Sequence, residues 1–168
     1  MTGASHAAST AHPLLGGQET LKAVLTAPLA QVYNQKRQKV RIYHPGQWSY
    51  VGPDGETHRL EVSIRTRGDF RREYCNLPPL QLNYKKGEVK GTYFKGQDKL
   101  KLVTHCRTWE EDFEEFIYRE YLAYRIYQVL TEVSYRVRLL DITYYDTQKD
   151  KELKRIGFVI EDDGDVRD

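Results

Sequence analysis

The sequence predicts a single α+β domain in which one long amphipathic helix packs on an antiparallel sheet. Three observations indicate this fold. Several short runs alternate apolar and polar residues as strands do, one long run has helical spacing, and turn signals join two pairs of strands. At 168 residues the chain can bury a core of its own. We assign 1–17 to a flexible N-terminal segment and 18–168 to the domain, which we expect to be incomplete at its C-terminus.

The predicted strands are short, and most of them precede the helix. Gly-Pro-Asp-Gly at 52–55 is a strong turn signal, which predicts a hairpin between its two flanking strands. A polar loop at 146–151 predicts a second hairpin near the end of the chain. The predicted strands are 21–26, 47–51, 57–67, 79–84, 99–104, 135–145 and 154–161, with a short helix at 29–35.

The long helix is the best-defined element of the sequence. Thr108-Trp-Glu-Glu111 fits a capping box, in which the Thr hydroxyl and the Glu carboxylate bind free N–H groups at a helix start. The apolar pattern then continues to about Leu130. We therefore predict one helix from Thr108 to Leu130.

Glu120 lies inside the apolar stripe of this helix. Its neighbours three and four positions away are Phe116, Ile117, Ala123 and Tyr124. A carboxylate in such a place costs several kcal/mol unless a cation meets it. Lys99 and Lys101 share one face of the preceding strand, because strand side chains alternate. We therefore predict an ion pair between one of them and Glu120; the alternative is that Glu120 lies at the edge of the stripe and reaches water.

The charges are unevenly distributed along the chain. Residues 34–107 carry an excess of Lys and Arg, whereas 108–168 are acidic. This pattern indicates an anionic ligand on the first part or two faces that attract each other, and two solvated surfaces are an equal alternative. Basic residues interleave with aromatic ones, but we do not favour nucleic acid as a partner because no recognition motif is present and the second half is acidic.

Two features of the basic part are candidates for anion binding. Arg65 and Arg67 share a strand face and can clamp a phosphate or carboxylate, or they form surface ion pairs with the acidic half. The glycine-punctuated basic loop at 85–96 can approach an anion with its backbone N–H groups, or it is a solvated hairpin loop.

The sequence leaves the compartment open. No apolar run approaches the roughly 20 residues of a membrane span, and the N-terminus has neither a basic nor an apolar signal region. From the sequence as written we expect a cytoplasmic protein. We expect an exported or periplasmic protein if the true start of the coding sequence lies upstream. Cys75 and Cys106 would form one disulfide in an exported protein and remain buried thiols in the cytosol.

Three stretches resemble the CotH-type family of atypical protein kinases. They are Arg-Thr-Arg-Gly-Asp-Phe-Arg at 65–71 with Pro-Pro-Leu-Gln-Leu at 78–82, Asp-Lys-Leu-Lys-Leu-Val at 98–103, and Arg-Ile-Gly-Phe-Val-Ile-Glu at 155–161. The resemblance implies a kinase N-terminal lobe, ATP with Mg as cofactors, and a protein substrate. It also implies that Lys101 contacts the phosphates, that Glu120 orients Lys101, and that Glu161 lies near the connection between lobes.

From the resemblance we expect this chain to be the nucleotide-binding, N-lobe-like part of such a kinase. We expect it to be inactive alone, because the family's catalytic and metal-binding acids lie in a C-terminal lobe that this sequence lacks. The expected partners are a protein substrate or that missing lobe. The alternative is a non-catalytic interaction domain that binds an acidic protein or a polysaccharide through its basic face.

Overall fold

The computed structural model describes residues 13–110 and 112–166, and its seven strands form a closed barrel in the order β1-β2-β3-β4-β5-β7-β6. The strands are β1 Leu21–Ala27, β2 His44–Val51, β3 Thr57–Thr66, β4 Leu80–Tyr84, β5 Lys99–Val103, β6 Val137–Asp146 and β7 Lys151–Glu161. Each predicted strand overlaps one of these, and both predicted hairpins, β2–β3 and β6–β7, are confirmed.

The predicted antiparallel sheet resembling a kinase N-terminal lobe is wrong, although the α+β content is confirmed. β1 pairs with β6 in parallel, with Leu21 opposite Leu140 and Ala27 opposite Asp146, and this pairing closes the sheet into a mixed barrel. Closure removes both exposed sheet edges, whose unpaired N–H and C=O groups would otherwise face water. Hydrophobic alternation within a strand does not specify a pairing between segments so far apart in the chain.

The described helices are one long helix and several short ones. They are α1 Pro13–Gly16, α2 Leu29–Asn34, α3 Phe70–Tyr74, α4 Lys86–Val89, α5 Phe113–Leu130 and a 3₁₀ turn at Asp163–Asp165. The helix predicted at 29–35 is confirmed as α2. The long helix α5 ends at Leu130 as predicted but begins at Phe113 rather than Thr108, and Glu111 of the predicted capping box lies outside the described residues. Asp112 makes no side-chain hydrogen bond to the helix start.

The predicted flexible segment 1–17 is described only from residue 13 onward, and residues 1–12 lie outside the described part of the chain. In α1, Leu14 and Leu15 are buried in the main core. This helix therefore belongs to the folded domain.

Two apolar cores hold the fold together. The inward faces of the strands fill the barrel with large side chains, among them Trp48, Tyr50 and Tyr144. A second core lies outside the barrel, where Ile117 and Tyr121 of α5 pack on Phe158 of β7 and its outward-facing neighbours. α5 therefore covers only the β5–β7–β6 side of the barrel, and outward side chains of β3 and β4 remain partly exposed.

Cys75 and Cys106 form a disulfide bond with an S–S distance of 2.00 Å. Asn76 N–H donates a hydrogen bond to the Cys106 carbonyl oxygen at 2.9 Å, so backbone and side chains join the same two segments. Of the two alternatives left open by the sequence, the structure has the disulfide. It ties the end of α3 to the segment that leads into α5.

Candidate functional site

Lys101 is buried on the outer face of the barrel, with only 9% of its surface exposed. The alternation of β5 turns Leu100 and Leu102 into the barrel and Lys101 outward, on the side of Val103 and the second core. Its ammonium group forms a charge-assisted hydrogen bond with the Asp163 carboxylate and lies 4.7 Å from the centroid of the Tyr135 ring. The lysine is thus held between a carboxylate and an aromatic face.

Asp163 is the centre of this arrangement. Its Oδ1 also accepts a hydrogen bond from the Tyr135 hydroxyl at 2.6 Å. The hydrogen bonds from Lys101 and Tyr135 lower the pKa of Asp163 below its ordinary value. Asp163 lies in a 3₁₀ turn and its side chain is 69% exposed, so this carboxylate can leave Lys101 without opening the core.

Lys99 shares the outer face of β5 but is exposed. The sequence could not separate these two lysines, whereas burial does. Lys101 is the lysine that the fold places beside aromatic and acidic groups.

Arg67 follows β3, is partly buried and interacts electrostatically with Asp163. Its backbone N–H donates to the Pro79 carbonyl oxygen at 2.9 Å, which fixes the chain beside β4. Burial lowers the pKa of the Arg67 guanidinium, and the charges of Tyr124, Asp163 and Glu120 act against this shift. Among the described residues, no carboxylate lies within 4.0 Å of the guanidinium. Arg67 is therefore a partly buried cation with free donor capacity.

Arg65 lies in register with Lys101 across the sheet. It is opposite Gln81 of β4, and Gln81 is opposite Lys101 of β5. Two strand spacings separate the Cα atoms of Arg65 and Lys101 by roughly 10 Å. The Arg65 guanidinium lies over the Tyr43 ring, 4.5 Å from its centroid. Arg65, Arg67 and Lys101 thus share one partly open face of the barrel, which we call the outer basic face.

The structure does not contain the predicted ion pair between Glu120 and a strand lysine. Glu120 pairs with Arg71 instead, with 2.7 Å between Oε2 and Nη2, because α3 brings Arg71 over this part of α5. The contact is not aligned as a hydrogen bond, and Oε2 is buried without a hydrogen-bond partner in the described structure. The Glu120 side chain is 28% exposed, which is intermediate between the buried ion pair and the solvent-exposed position that the sequence left as alternatives.

Glu161 is paired with Arg136. Its carboxylate, 1% exposed, accepts hydrogen bonds from the Arg136 backbone N–H at 2.5 Å, from Nε at 2.8 Å and from Nη2 at 2.5 Å. Nε and Nη2 both donate to Oε2 and the backbone N–H donates to Oε1, so both oxygens of the buried carboxylate are satisfied. Glu161 therefore has a structural partner that accounts for its position at the end of β7.

The loop at 85–96 contributes to the barrel core. Its residues Val89 and Phe94 are buried, and the Phe94 ring packs on Tyr50 with 4.8 Å between the centroids. Gly91 and Gly96 have positive φ angles of 77° and 87°, which allow the tight turns around Phe94. These glycines have a structural role here, and the loop lysines remain on its exposed side.

The site therefore combines three cationic side chains with one exposed carboxylate, Asp163, which a bound anion could replace. The predicted residues Arg65, Arg67 and Lys101 share the outer basic face, whereas Glu120 and Glu161 are paired with other arginines. Sequence reasoning missed three members of the surrounding network: Arg71, Tyr135 and Asp163. Arg71 belongs to the same basic run as Arg65, so the sequence did offer it as a candidate for this face. Nothing in the local sequence, however, indicates that the acidic residues after β7 fold back onto β5.

In the ranges that the structure describes, no helix is both long and apolar enough to cross a lipid bilayer. Comparisons with protein-family models, with curated proteins and with solved structures found no match. The geometry of the outer basic face therefore carries the functional assignment.

Proposed function

We propose that this chain is a nucleotide-binding module whose outer basic face holds the phosphate groups of ATP. The observation that carries the proposal is the partly buried Arg67 guanidinium, which has no ion-pair partner among the described residues and interacts electrostatically with Asp163, the partner of the buried Lys101. Partly desolvated cations bind phosphate oxygens through short, charge-assisted hydrogen bonds. The resemblance to CotH-type kinases implies the same lysine.

Binding would exchange one anion for another on Lys101. The Asp163 carboxylate leaves the ammonium group, a phosphate oxygen takes its place, and Arg67 donates to the same or the next phosphate. Tyr135, released from Asp163, keeps a hydroxyl donor beside the position of the phosphate. Arg65, two strands away, widens the positive surface along the phosphate chain.

The described acidic residues do not form a metal site by themselves. Magnesium needs oxygen ligands in near-octahedral geometry. Within the described ranges, no group of three or more His, Cys, Asp or Glu side chains could hold a metal, and Glu120 and Glu161 are each paired with an arginine. We therefore assign no metal ligand and no catalytic residue, and the proposal concerns nucleotide binding.

Calorimetric titration of ATP into the protein and into two matched variants tests the proposal. Losing a hydrogen bond to a charged group costs about 1.5–3 kcal/mol, so Lys101→Met should weaken ATP binding at least about tenfold. Lys99→Met removes an exposed charge from the same strand face and should change the affinity by less than about twofold. Equal losses in both variants, or no saturable binding to the wild-type protein, would contradict the proposal.

A second candidate function is that of an interaction domain for an acidic protein. The outward stripe of α5 favours it, since Leu122, Ile126, Val129 and Leu130 are between 54% and 86% exposed. An exposed apolar stripe suits a protein partner better than a polysaccharide. Binding of a polyglutamate probe should then fall equally in Lys99→Glu and Lys101→Glu, whereas nucleotide binding depends on Lys101.

A further inference from the structure

Arg138 is a buried arginine in the barrel interior, separate from the outer basic face. It lies on β6 in the inward series that continues with Leu140 and Ile142, and it is 5% exposed. Its Nη1 donates a hydrogen bond to the Leu14 carbonyl oxygen at 3.2 Å. Gly17 lies against the guanidinium so closely that a Cβ atom at this position would come within 1.3 Å of Nη1. The chain before β1 thus leaves a fitted space for this side chain.

The positive charge of Arg138 is not neutralised by a neighbour in the described ranges. No described carboxylate lies within 4.0 Å of its guanidinium, and Nε is buried without a hydrogen-bond partner. Buried charges in proteins are ordinarily paired, because removing an unpaired charge from water is costly. An arginine in this state indicates an anion that completes its surroundings.

A cavity of about 290 Å³ provides the place for that anion. Arg138 lines it together with residues from the start of β1, the end of β2 and the turn that follows, and the loop at 85–96: Glu19, Thr20, Leu21, Lys22, Val51, Gly52, Pro53 and Tyr93. The guanidinium carbon lies 5.9 Å from the centroid of the Tyr93 ring. The cavity therefore combines one buried cation with an aromatic and aliphatic wall.

We propose that this cavity binds a small organic carboxylate through Arg138. Because Nη1 already donates to Leu14 and Nε is buried, Nη2 is the donor of Arg138 that is left to meet a carboxylate oxygen in the cavity. The apolar part of the ligand lies against Tyr93, Leu21 and Val51. Glu19 and Lys22 on the cavity wall carry opposite charges, so the net charge of the lining is the single positive charge of Arg138, which a monoanion matches.

The test compares benzoate with benzamide, which has nearly the same shape and no charge. Thermal unfolding of the wild-type protein should show a saturable rise in melting temperature with benzoate and at most a tenth of the apparent affinity with benzamide. This comparison needs no variant, so it does not depend on whether a changed Arg138 still folds. Equal responses to the two compounds, or no saturable response to benzoate, would overturn the proposal.

Variants then locate the site. Arg138→Lys keeps the charge but removes the guanidinium donors, and Gly17→Ala displaces the guanidinium; each should weaken benzoate binding at least tenfold while leaving ATP binding unchanged. Lys101→Met should leave benzoate binding unchanged. Glu19→Gln should preserve or strengthen it, and loss of benzoate binding in Glu19→Gln would show that Arg138 is not the determinant.

Discussion

Asp163→Asn should strengthen nucleotide binding, because the Asp163 carboxylate is paired with the Lys101 ammonium group to which the phosphate would bind. In the free protein this carboxylate accepts hydrogen bonds from Lys101 and from Tyr135. Asparagine keeps the size of the side chain and removes its charge. A phosphate then meets Lys101 without first breaking an ion pair.

The size of this gain follows from the exposure of the two partners. The Lys101 side chain is 11% exposed, but the Asp163 side chain is 69% exposed, so water screens much of their attraction. Exposed ion pairs contribute about 0.2–1 kcal/mol. Because about 1.4 kcal/mol corresponds to a tenfold change, removing the competitor should tighten ATP binding by up to about fivefold.

Calorimetric titration of ATP into the wild-type protein, Asp163→Asn and Asp162→Asn measures this effect. Asp162→Asn is the matched control, since it removes the same charge from the adjacent position, outside the contact with Lys101. We expect tighter binding in Asp163→Asn and a smaller change in the control. Weaker binding in Asp163→Asn would refute the reasoning, because Asp163 would then assist the ligand rather than compete with it.

Three further predictions concern stability, each measured by chemical denaturation. Burial, together with the nearby Arg155, lowers the pKa of His105 below its ordinary 6.5. The neutral ring therefore contributes its stabilisation of the fold fully above pH 6.5, and this stabilisation is lost as the pH falls. The free energy of unfolding should therefore fall as the pH drops below the ordinary histidine pKa of 6.5, with a shallower slope in His105→Gln; equal slopes would contradict this. Arg136→Ala leaves the Glu161 carboxylate buried and unpaired and should cost about 3–5 kcal/mol, mostly recovered by adding Glu161→Gln; a loss below about 1 kcal/mol would be inconsistent with the pairing. Replacing both Cys75 and Cys106 by serine opens a loop with a sequence separation of 31 residues and should cost about 3–4 kcal/mol, whereas an unchanged denaturation midpoint would count against the bond.

Local features of the fold could be predicted from the sequence because they depend on local alternation and turn chemistry. The Gly-Pro-Asp-Gly turn predicts the β2–β3 hairpin, and the alternation in β5 predicts that Lys99 and Lys101 face away from Leu100 and Leu102. The C-terminal end of α5 follows from its apolar spacing. These predictions require only neighbours a few residues apart.

Barrel closure and the partners of the site residues could not be predicted in the same way. The parallel pairing of β1 with β6 joins Leu21 to Leu140, and no local pattern distinguishes a strand that closes a barrel from one at a sheet edge. Glu120 was expected to meet a lysine because its helix follows the lysine-bearing strand. The structure instead brings Arg71 of α3 to Glu120 and folds Asp163 back onto Lys101, and both contacts arise from tertiary packing.

A crystal structure of the protein with a non-hydrolysable ATP analogue tests nucleotide binding on the outer basic face most directly. We predict a phosphate oxygen within hydrogen-bond distance of Lys101 Nζ, about 2.7–3.2 Å, a second phosphate contact from Arg67, and the Asp163 carboxylate displaced from Lys101. A nucleotide bound elsewhere, or crystals in which Asp163 still holds Lys101 at saturating nucleotide, would contradict it.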